Sequence, residues 1–185
     1  QVFPKRCGHL AGTRLVSTDE MVGKIHAAVD SRRHEAFLII GRTDARGVLG
    51  LDAALERAHK YKEAGADILF VEAPQSIDEM QKIGRAFGGT PLVANMVEGG
   101  KTPQLPNQSL AELGFQIIFY PSTILRTAMY AAQKALAALK DTGTTAHLMD
   151  DMIDFSAIND LVGIADIGAA EDRYVRASHQ KETQS

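Results

Sequence analysis

The alternation of short apolar runs with amphipathic segments is the feature that most restricts how this chain folds. β-Prone runs occupy residues 37–40, 68–71, 92–94 and 116–120. Three of these four runs are continuously apolar, which is typical of parallel strands buried on both faces. Amphipathic segments lie between the runs and the connections are short. The pattern therefore predicts a parallel α/β fold.

The segments between the runs carry start and stop signals for helices. Ser17 with Glu20, and Ser76 with Glu79, have the spacing of capping boxes, in which the serine and glutamate side chains satisfy free backbone N–H groups. Gly65 follows a helical pattern over 51–64 and predicts a left-handed stop. The other helical segments predicted are a short one over 109–113, which stops at Gly114, and a long one over 123–139.

The residues that end the strands favour a barrel over a doubly wound sheet. Each predicted strand runs into a polar or chemically distinctive residue, namely Arg42, Glu72, Asn95, or Pro121 with Ser122. Active sites of barrel enzymes collect side chains from the C-terminal ends of several strands. A complete barrel has about 250 residues and eight strands. We therefore predict the C-terminal portion of a (β/α)8 TIM barrel, and a smaller open sheet is the alternative.

The domain prediction has three parts. Residues 1–143 form the C-terminal part of the barrel and begin at a cysteine-containing loop. Residues 144–175 form a C-terminal helical extension with an apolar stripe, which packs on this subunit or on a neighbour. The stripe consists of Leu148, Met152, Phe155, Ile158 and Leu161. Residues 176–185 are a polar tail that is expected to fray.

The composition of the chain restricts the classes of partner and the cellular compartment that we expect for the protein. The net charge is −3 and charges of both signs are interspersed, so no nucleic-acid partner is predicted. No apolar run approaches the ~20 residues of a membrane span. The single cysteine fits a reducing compartment, and we expect a cytoplasmic protein. The sequence starts at Gln1 without Met, and we expect the first half of the barrel to be missing from it.

The segment Lys5-Arg6-Cys7-Gly8-His9 carries the clearest chemistry. The two cations lower the pKa of a neighbouring thiol and attract anions. Glycine lets the backbone approach a ligand closely, and histidine binds a carboxylate or transfers a proton. The group suits a loop that closes on an anionic substrate and supplies a proton from sulfur. The alternative interpretation is a solvated basic turn with an incidental cysteine.

Five segments that occur in one order resemble the motifs of a known family. Residues 1–11, QVFPKRCGHLA, are similar to the signature loop of the isocitrate lyase and phosphoenolpyruvate mutase superfamily. The later matches are GRTDA at 41–45, AGAD at 64–67 with FVEAP at 70–74, NMVEGGKTP at 95–103, and LGF at 113–115 with YP at 120–121. The resemblance covers the chain up to the tail.

The resemblance implies roles for the loop and for two strand ends. Cys7 is expected to be the general acid that protonates the leaving carbanion, while Lys5 and Arg6 close and polarise the loop. Gly8 and His9 hold a substrate carboxylate. Arg42 binds a carboxylate or enolate oxygen through its fixed fork, and Glu72 orients Arg42 or the loop. The substrate's far carboxylate is expected at Asn95 and Thr102, near Pro121 and Ser122.

The resemblance also implies a reaction and an assembly. The expected activity is that of a Mg²⁺-dependent carbon–carbon lyase, which cleaves a small 2-hydroxy or 2-oxo di- or tricarboxylate, such as methylisocitrate, dimethylmalate or oxaloacetate, through an enolate. No metal ligand is assigned to this chain, because the family's ligands come mostly from strands that precede residue 1. The expected assembly is a homotetramer with swapped C-terminal helices. The alternatives are a phosphonomutase, or an inactive fragment that acts only as an oligomerising module.

The sequence leaves a second interpretation open for two residues. Arg42 is alternatively a structural ion pair with Glu72 or Asp44, because such networks also perturb pKa values. Glu98 is either a surface charge of its loop or a substrate contact.

Overall fold

The computed structural model describes residues 1–8 and 12–182, with side chains as far as residue 174. Contacts divide the chain into two units, Gln1–Arg126 and a second that begins at Thr127. This boundary lies inside the helix Thr123–Thr142. The roles predicted for 1–143, 144–175 and 176–185 stay predictions.

The first unit alternates helices and strands. In chain order its elements are α1 (Thr18–Ser31), β1 (Ile40–Thr43), α2 (Arg46–Leu49), α3 (Leu51–Glu63), β2 (Ile68–Val71), α4 (Ile77–Ala86), β3 (Val93–Asn95), α5 (Asn107–Glu112), β4 (Ile117–Phe119) and the start of α6 (Thr123–Thr142).

All four strands are parallel and lie in the order in which they occur along the chain. β1 pairs with β2 from Ile40 opposite Ile68 onward, and β3 pairs with β4 from Val93 opposite Ile117. A parallel bridge between Leu69 and Leu92 connects the two pairs. The predicted parallel α/β fold is therefore confirmed for the described part of the chain.

The strands are apolar on both faces, as their composition predicts. On one face Leu69 and Leu92 pack in a large cluster with helix residues such as Tyr61. On the other face Ile68, Phe70 and Val93 form a second buried cluster. The polar residues at the strand ends continue this second face.

The serine half of each predicted capping box and the two predicted glycine stops are present in the structure. Ser17 Oγ accepts from Glu20 N at 3.1 Å, and Ser76 Oγ accepts from Glu79 N at 3.1 Å. Gly65 and Gly114 have φ values of 99° and 97°, the left-handed conformation expected at these stops.

The start of the first strand differs from its prediction. β1 begins at Ile40, and the preceding Phe37 is 66% exposed. Phe37 N donates to His34 O in a turn, and Ile39 N donates to the Asp67 carboxylate at 2.8 Å. The apolar run therefore begins in a turn, and the strand starts only after the Asp67 contact.

The second unit is entirely helical among its described residues. After α6 it contains a 3-10 helix at Ala146–Asp151, α7 at Phe155–Leu161 and α8 at Ile164–Glu182. Asp154 caps α7 by accepting from Ala157 N at 2.8 Å, so the predicted apolar stripe is divided between two helices. No described side chain from residue 127 to 174 is buried.

Among the residues that the structure describes, no helix combines the length and apolar character needed to cross a membrane.

Candidate active site

Three polar side chains continue one face of the parallel sheet at its C-terminal edge. Arg42 lies opposite Phe70 in the register of β1 and β2, so the two side chains share a face. Glu72 lies two residues after Phe70, and Asn95 lies two residues after the buried Val93. Because side chains alternate along a strand, Arg42, Glu72 and Asn95 all project from this face.

Arg42 is at the centre of the group. Its Nε and Nη2 atoms donate to the two carboxylate oxygens of Asp44 at 3.1 and 2.9 Å. Nη2 also lies 3.0 Å from Glu72 Oε2, and the guanidinium carbon is 4.8 Å from the centre of the Phe70 ring. The Arg42 side chain remains 38% exposed. Asp44 therefore occupies the bidentate edge of the guanidinium, and Nη1 is the nitrogen left for a ligand.

Glu72 is the most deeply buried charge of the site. It is 1% exposed and faces Arg42, and it also accepts from Asn95 Nδ2 at 3.3 and 3.4 Å. A buried carboxylate is tolerated when it is paired and hydrogen-bonded in this way. The next residue, Ala73, is buried with φ of 54°, a left-handed conformation that costs roughly 1–2 kcal/mol for a residue with a Cβ. The backbone thus turns sharply directly after Glu72.

The ion pairs change the pKa values of both partners. Burial acts against the charged guanidinium, but the hydrogen bond to Asp44 and the charge of Glu72 outweigh it and raise the pKa of Arg42. Burial also acts against the charged form of Asp44, but the hydrogen bond and charge of Arg42, with the hydrogen bond from Gln1, lower the pKa of Asp44. Both groups are therefore ionised at neutral pH.

The loop that contains Cys7 lies against this group of side chains and completes a cleft of about 580 Å³. Cys7 itself is exposed and lines the cleft. Gly8 packs on the carboxylates, since a Cβ there would lie 2.4 Å from Glu72 Cγ and 2.9 Å from Asp44 Oδ1. Any larger residue at position 8 would collide with them.

Most of the predicted site residues come together in this cleft. They are Lys5, Arg6, Cys7, Gly8, Arg42, Glu72, Asn95, Pro121 and Ser122. Thr102 does not line the cleft; its hydroxyl is buried without a hydrogen-bond partner among the described residues. His9 lies outside the described residues.

Four residues of the cleft were not among the predicted site residues, although Asp44 was named as an alternative ion-pair partner of Arg42. Met21 and Val97 contribute apolar surface, and Asp44 holds Arg42. Gln1 connects the loop to Asp44, since its Nε2 donates to Asp44 Oδ1 at 2.8 Å. Gln1 and Asp44 both lie within segments that carry the resemblance, and this was the signal available for them.

Glu98 is hydrogen-bonded to the start of α6, and its two predicted roles stay predictions. Its carboxylate accepts from the hydroxyl groups of Thr123 and Ser122, and its backbone oxygen accepts from Arg126 at 2.7 Å. The hydrogen bond from Thr123 has the largest effect in lowering the pKa of Glu98, and the hydrogen bond from Ser122 and the charge of Arg126 lower it further. Glu98 therefore ties the loop after β3 to the start of α6, where a negative charge is favourable.

The acidic side chains described in the cleft do not form a site for a divalent cation. Within 1–8 and 12–182, no group of three or more His, Cys, Asp or Glu side chains is arranged to hold a metal ion. The two carboxylates of the cleft, Asp44 and Glu72, both face the Arg42 guanidinium. The residues present therefore do not fit a magnesium ion by themselves, and the chemistry assigned to them involves protein groups only.

The sequence matches a known family and proteins of known structure. Residues 6–140 match the family described as phosphoenolpyruvate phosphomutase. The 2,3-dimethylmalate lyase of Eubacterium barkeri is 50% identical over 174 residues, which are 94% of this chain and 60% of that protein. The structure of an oxaloacetate acetylhydrolase in complex with the inhibitor 3,3-difluorooxalacetate superposes with a TM-score of 0.86 at 31% identity, over 94% of this chain and 59% of the other.

A phosphonopyruvate hydrolase, whose structure is a complex with oxalate and Mg²⁺, superposes with a TM-score of 0.78 at 29% identity, over 95% of this chain and 60% of the other. The chain thus spans about 60% of the length of each of these proteins. Because the family match covers most of its sequence, the chain belongs to the phosphoenolpyruvate phosphomutase family.

Proposed function

We propose that this chain is the C-terminal part of a (β/α)8-barrel lyase. The lyase cleaves a carbon–carbon bond in a small 2-hydroxy or 2-oxo di- or tricarboxylate of the dimethylmalate, methylisocitrate or oxaloacetate type. The observation that carries the proposal is the arrangement of Cys7 and its two neighbouring cations in one cleft with Arg42. The cleft thus puts the Cys7 thiol, as a proton donor, and the Arg42 cation, as a carboxylate-binding group, next to the same substrate.

The strand order supports a barrel. Doubly wound sheets reverse their strand order at a switch point. The four strands described here follow one another without a reversal, and both of their faces are apolar. The polar side chains at their C-terminal ends are where barrel enzymes have their active sites.

The charges of the cleft support an anionic substrate. Without the loop, the cleft contains the two carboxylates of Asp44 and Glu72 and the single cation of Arg42. Lys5 and Arg6 line the same cleft, and their charges change its net charge from negative to positive. We propose that a substrate carboxylate binds at Arg42 Nη1 and is attracted by the two loop cations.

The proposed role of Cys7 is proton donation. When the carbon–carbon bond of a 2-hydroxy acid breaks, the hydroxyl group loses its proton to water and becomes the carbonyl group of one product. The electron pair of the broken bond stays on the carbon next to a carboxylate of the other product, as an enolate-like carbanion. The Cys7 thiol gives its proton to that carbon and becomes a thiolate. A later proton from solvent returns the thiolate to the thiol.

The remaining roles follow from position. Gly8 is proposed to let the loop backbone approach the substrate, whereas the carboxylate-binding role of His9 rests on the resemblance alone. Asn95, Pro121 and Ser122 line the cleft and are proposed to face the far carboxylate. For Thr102, which does not line the cleft, the same role rests on the resemblance alone.

We propose a requirement for Mg²⁺ with ligands outside this chain. It rests on the resemblance and on the phosphonopyruvate hydrolase complex, which contains Mg²⁺ and oxalate. Dialysis of the full-length protein against EDTA should abolish turnover, and added Mg²⁺ should restore it. Full turnover after EDTA treatment would contradict the requirement.

We propose a cytoplasmic homotetramer in which the C-terminal helices pack on neighbouring subunits. Large apolar side chains of the second unit are exposed, among them Phe155 at 83% and Leu161 at 74%. Exposed apolar surface of this kind marks an interface. Light scattering of the full-length protein should give the mass of four chains, and a monomer at micromolar concentration would contradict the proposal.

A substrate panel tests the activity. The full-length protein with Mg²⁺ should release pyruvate from dimethylmalate or methylisocitrate, or oxalate and acetate from oxaloacetate. Cys7→Ser should lower turnover by about 10²–10⁴-fold, the usual contribution of a general acid. The exposed helix residue Gln81 provides the control Gln81→Ala, which should keep parental turnover.

Adding phosphonopyruvate and phosphoenolpyruvate to this panel separates the alternatives. Turnover of phosphonopyruvate or phosphoenolpyruvate alone would indicate a phosphonomutase. No turnover of any substrate by a folded, full-length protein would indicate an oligomerising module.

A further inference from the structure

The side chain of Gln1 connects the Cys7 loop to the end of β1. Its Oε1 accepts from Arg6 N at 2.8 Å, and its Nε2 donates to Arg6 O at 2.9 Å. Nε2 also donates to Asp44 Oδ1 at 2.8 Å. One carboxamide thus binds both backbone groups of a loop residue and a carboxylate that lies 43 positions further along the chain.

The chemistry of a carboxamide matches this position closely. A glutamine side chain has one acceptor oxygen and two N–H donors. Both donors and the oxygen of Gln1 are used in the three hydrogen bonds. A glutamate at this position would lack both donors and would put a second carboxylate against Asp44. An asparagine would be one methylene too short to reach the same atoms.

Asp44 is a rigid anchor for this contact. It is held by Arg42 through two hydrogen bonds, and its side chain is 7% exposed. Gly8, on the other side of Cys7, packs against the same carboxylate. The loop is therefore held on both sides of Cys7, by Gln1 through Arg6 and by the contact of Gly8.

We propose that Gln1 is a positioning residue that holds the Cys7 loop on Asp44. Gln1 acts through Arg6 and Asp44 and not on the substrate. Without its carboxamide, the backbone of Arg6 loses its partners and the loop leaves the cleft more often. This effect on the loop is independent of the reaction. A consequence for turnover rests on the proposed function, in which Cys7 must reach the substrate.

Trypsin provides a direct test, because it cleaves after arginine and must bind the carbonyl group of the bond it cleaves. At the Arg6–Cys7 bond that carbonyl is held by Gln1 Nε2. In Gln1→Ala, cleavage at this bond should be at least about tenfold faster, as expected for the loss of these hydrogen bonds. Cleavage after the exposed Arg33 is the internal control and should not change.

Three further measurements complete the test. Gln1→Glu should behave like Gln1→Ala, because it retains the size of the side chain but not its donors. Gln81→Ala removes an exposed glutamine from α4 and should cleave at the parental rate. In the full-length enzyme, Gln1→Ala should lower kcat by about tenfold with a smaller change in KM.

Equal cleavage at Arg6–Cys7 in Gln1→Ala and the parent would overturn the proposal. Equal acceleration after Arg6 and after Arg33 would also overturn it, because it would indicate general unfolding. If cleavage accelerates as expected but no substrate is turned over, the positioning role stands and the proposed function fails.

Discussion

Gly8→Ala tests whether the Cys7 loop lies in the working enzyme as it does in the structure. A Cβ added to Gly8 would lie 2.4 Å from Glu72 Cγ, 2.9 Å from Asp44 Oδ1 and 3.0 Å from Glu72 Cδ. Ordinary contacts of a Cβ begin at 3.4 Å, so the nearest atom is too close by about 1 Å.

The loop, and not the carboxylates, must move to relieve this contact. Glu72 is 1% exposed and is bonded to Arg42 and Asn95, and Asp44 is held by two hydrogen bonds from Arg42. We expect the loop to rise by about 1 Å, at the roughly 1–3 kcal/mol typical of overpacking. A displacement of this size at a proton donor lowers turnover by about 10²-fold.

The measurement is turnover of the full-length protein, together with tryptic cleavage at Arg6–Cys7. Gly23→Ala is the matched control, because a Cβ at Gly23 in α1 meets nothing within 4 Å. That control should retain activity and gain roughly 0.5–1 kcal/mol of stability, since glycine is unfavourable inside a helix. Parental turnover and cleavage in Gly8→Ala would refute the reasoning, because the loop would then not rest on Glu72.

Three further predictions concern the charges near the site, all measured by urea unfolding. Glu72→Gln should lower the free energy of unfolding by about 1–3 kcal/mol, because a buried acceptor is replaced by a donor; an unchanged value would argue against the pairing. Arg46→Met breaks two hydrogen bonds to Glu79, at 2.8 and 2.5 Å, and should cost about 1.5–3 kcal/mol. The control is the exposed ion pair between Lys60 and Glu56, and Lys60→Met should cost less than about 1 kcal/mol. The pKa of Asp44 is lowered by folding, so the stability that this carboxylate contributes is complete above about pH 4 and is lost as the pH falls further. The advantage of the parent over Asp44→Asn should therefore shrink between pH 5 and pH 2, and a pH-independent difference would contradict this.

The fold was predictable where apolar pattern and local signals agree. The run at 68–71 is flanked by helix signals, and β2 occupies these same residues with all four side chains buried. The run at 37–40 has a similar composition, but a contact of Ile39 with the Asp67 carboxylate sets the start of β1. That contact joins residues 28 positions apart, so local pattern carries no signal for it.

The apolar stripe of the second unit shows a different limit. Its spacing of three to four residues predicts one continuous helical face. In the structure the stripe is divided between the 3-10 helix at Ala146–Asp151 and α7. The division occurs at Asp154, whose side chain caps α7. Aspartate at a helix start is a strong local signal, and it was overlooked because the spacing of apolar residues continued across it.

The candidate site was predictable in part for a geometric reason. Arg42, Glu72 and Asn95 were identified as strand ends, and alternation along parallel strands is sufficient to put them on one face. The same rule reaches Asp44, which lies two positions after Arg42, so a count by twos carried past each strand end would have included it. Gln1 is different, because its partner Asp44 lies 43 positions away and no periodic pattern connects them. The strand-end residues of the cleft thus follow from secondary structure. The contacts that hold the Cys7 loop arise only when the tertiary fold brings Gln1 and Asp44 together.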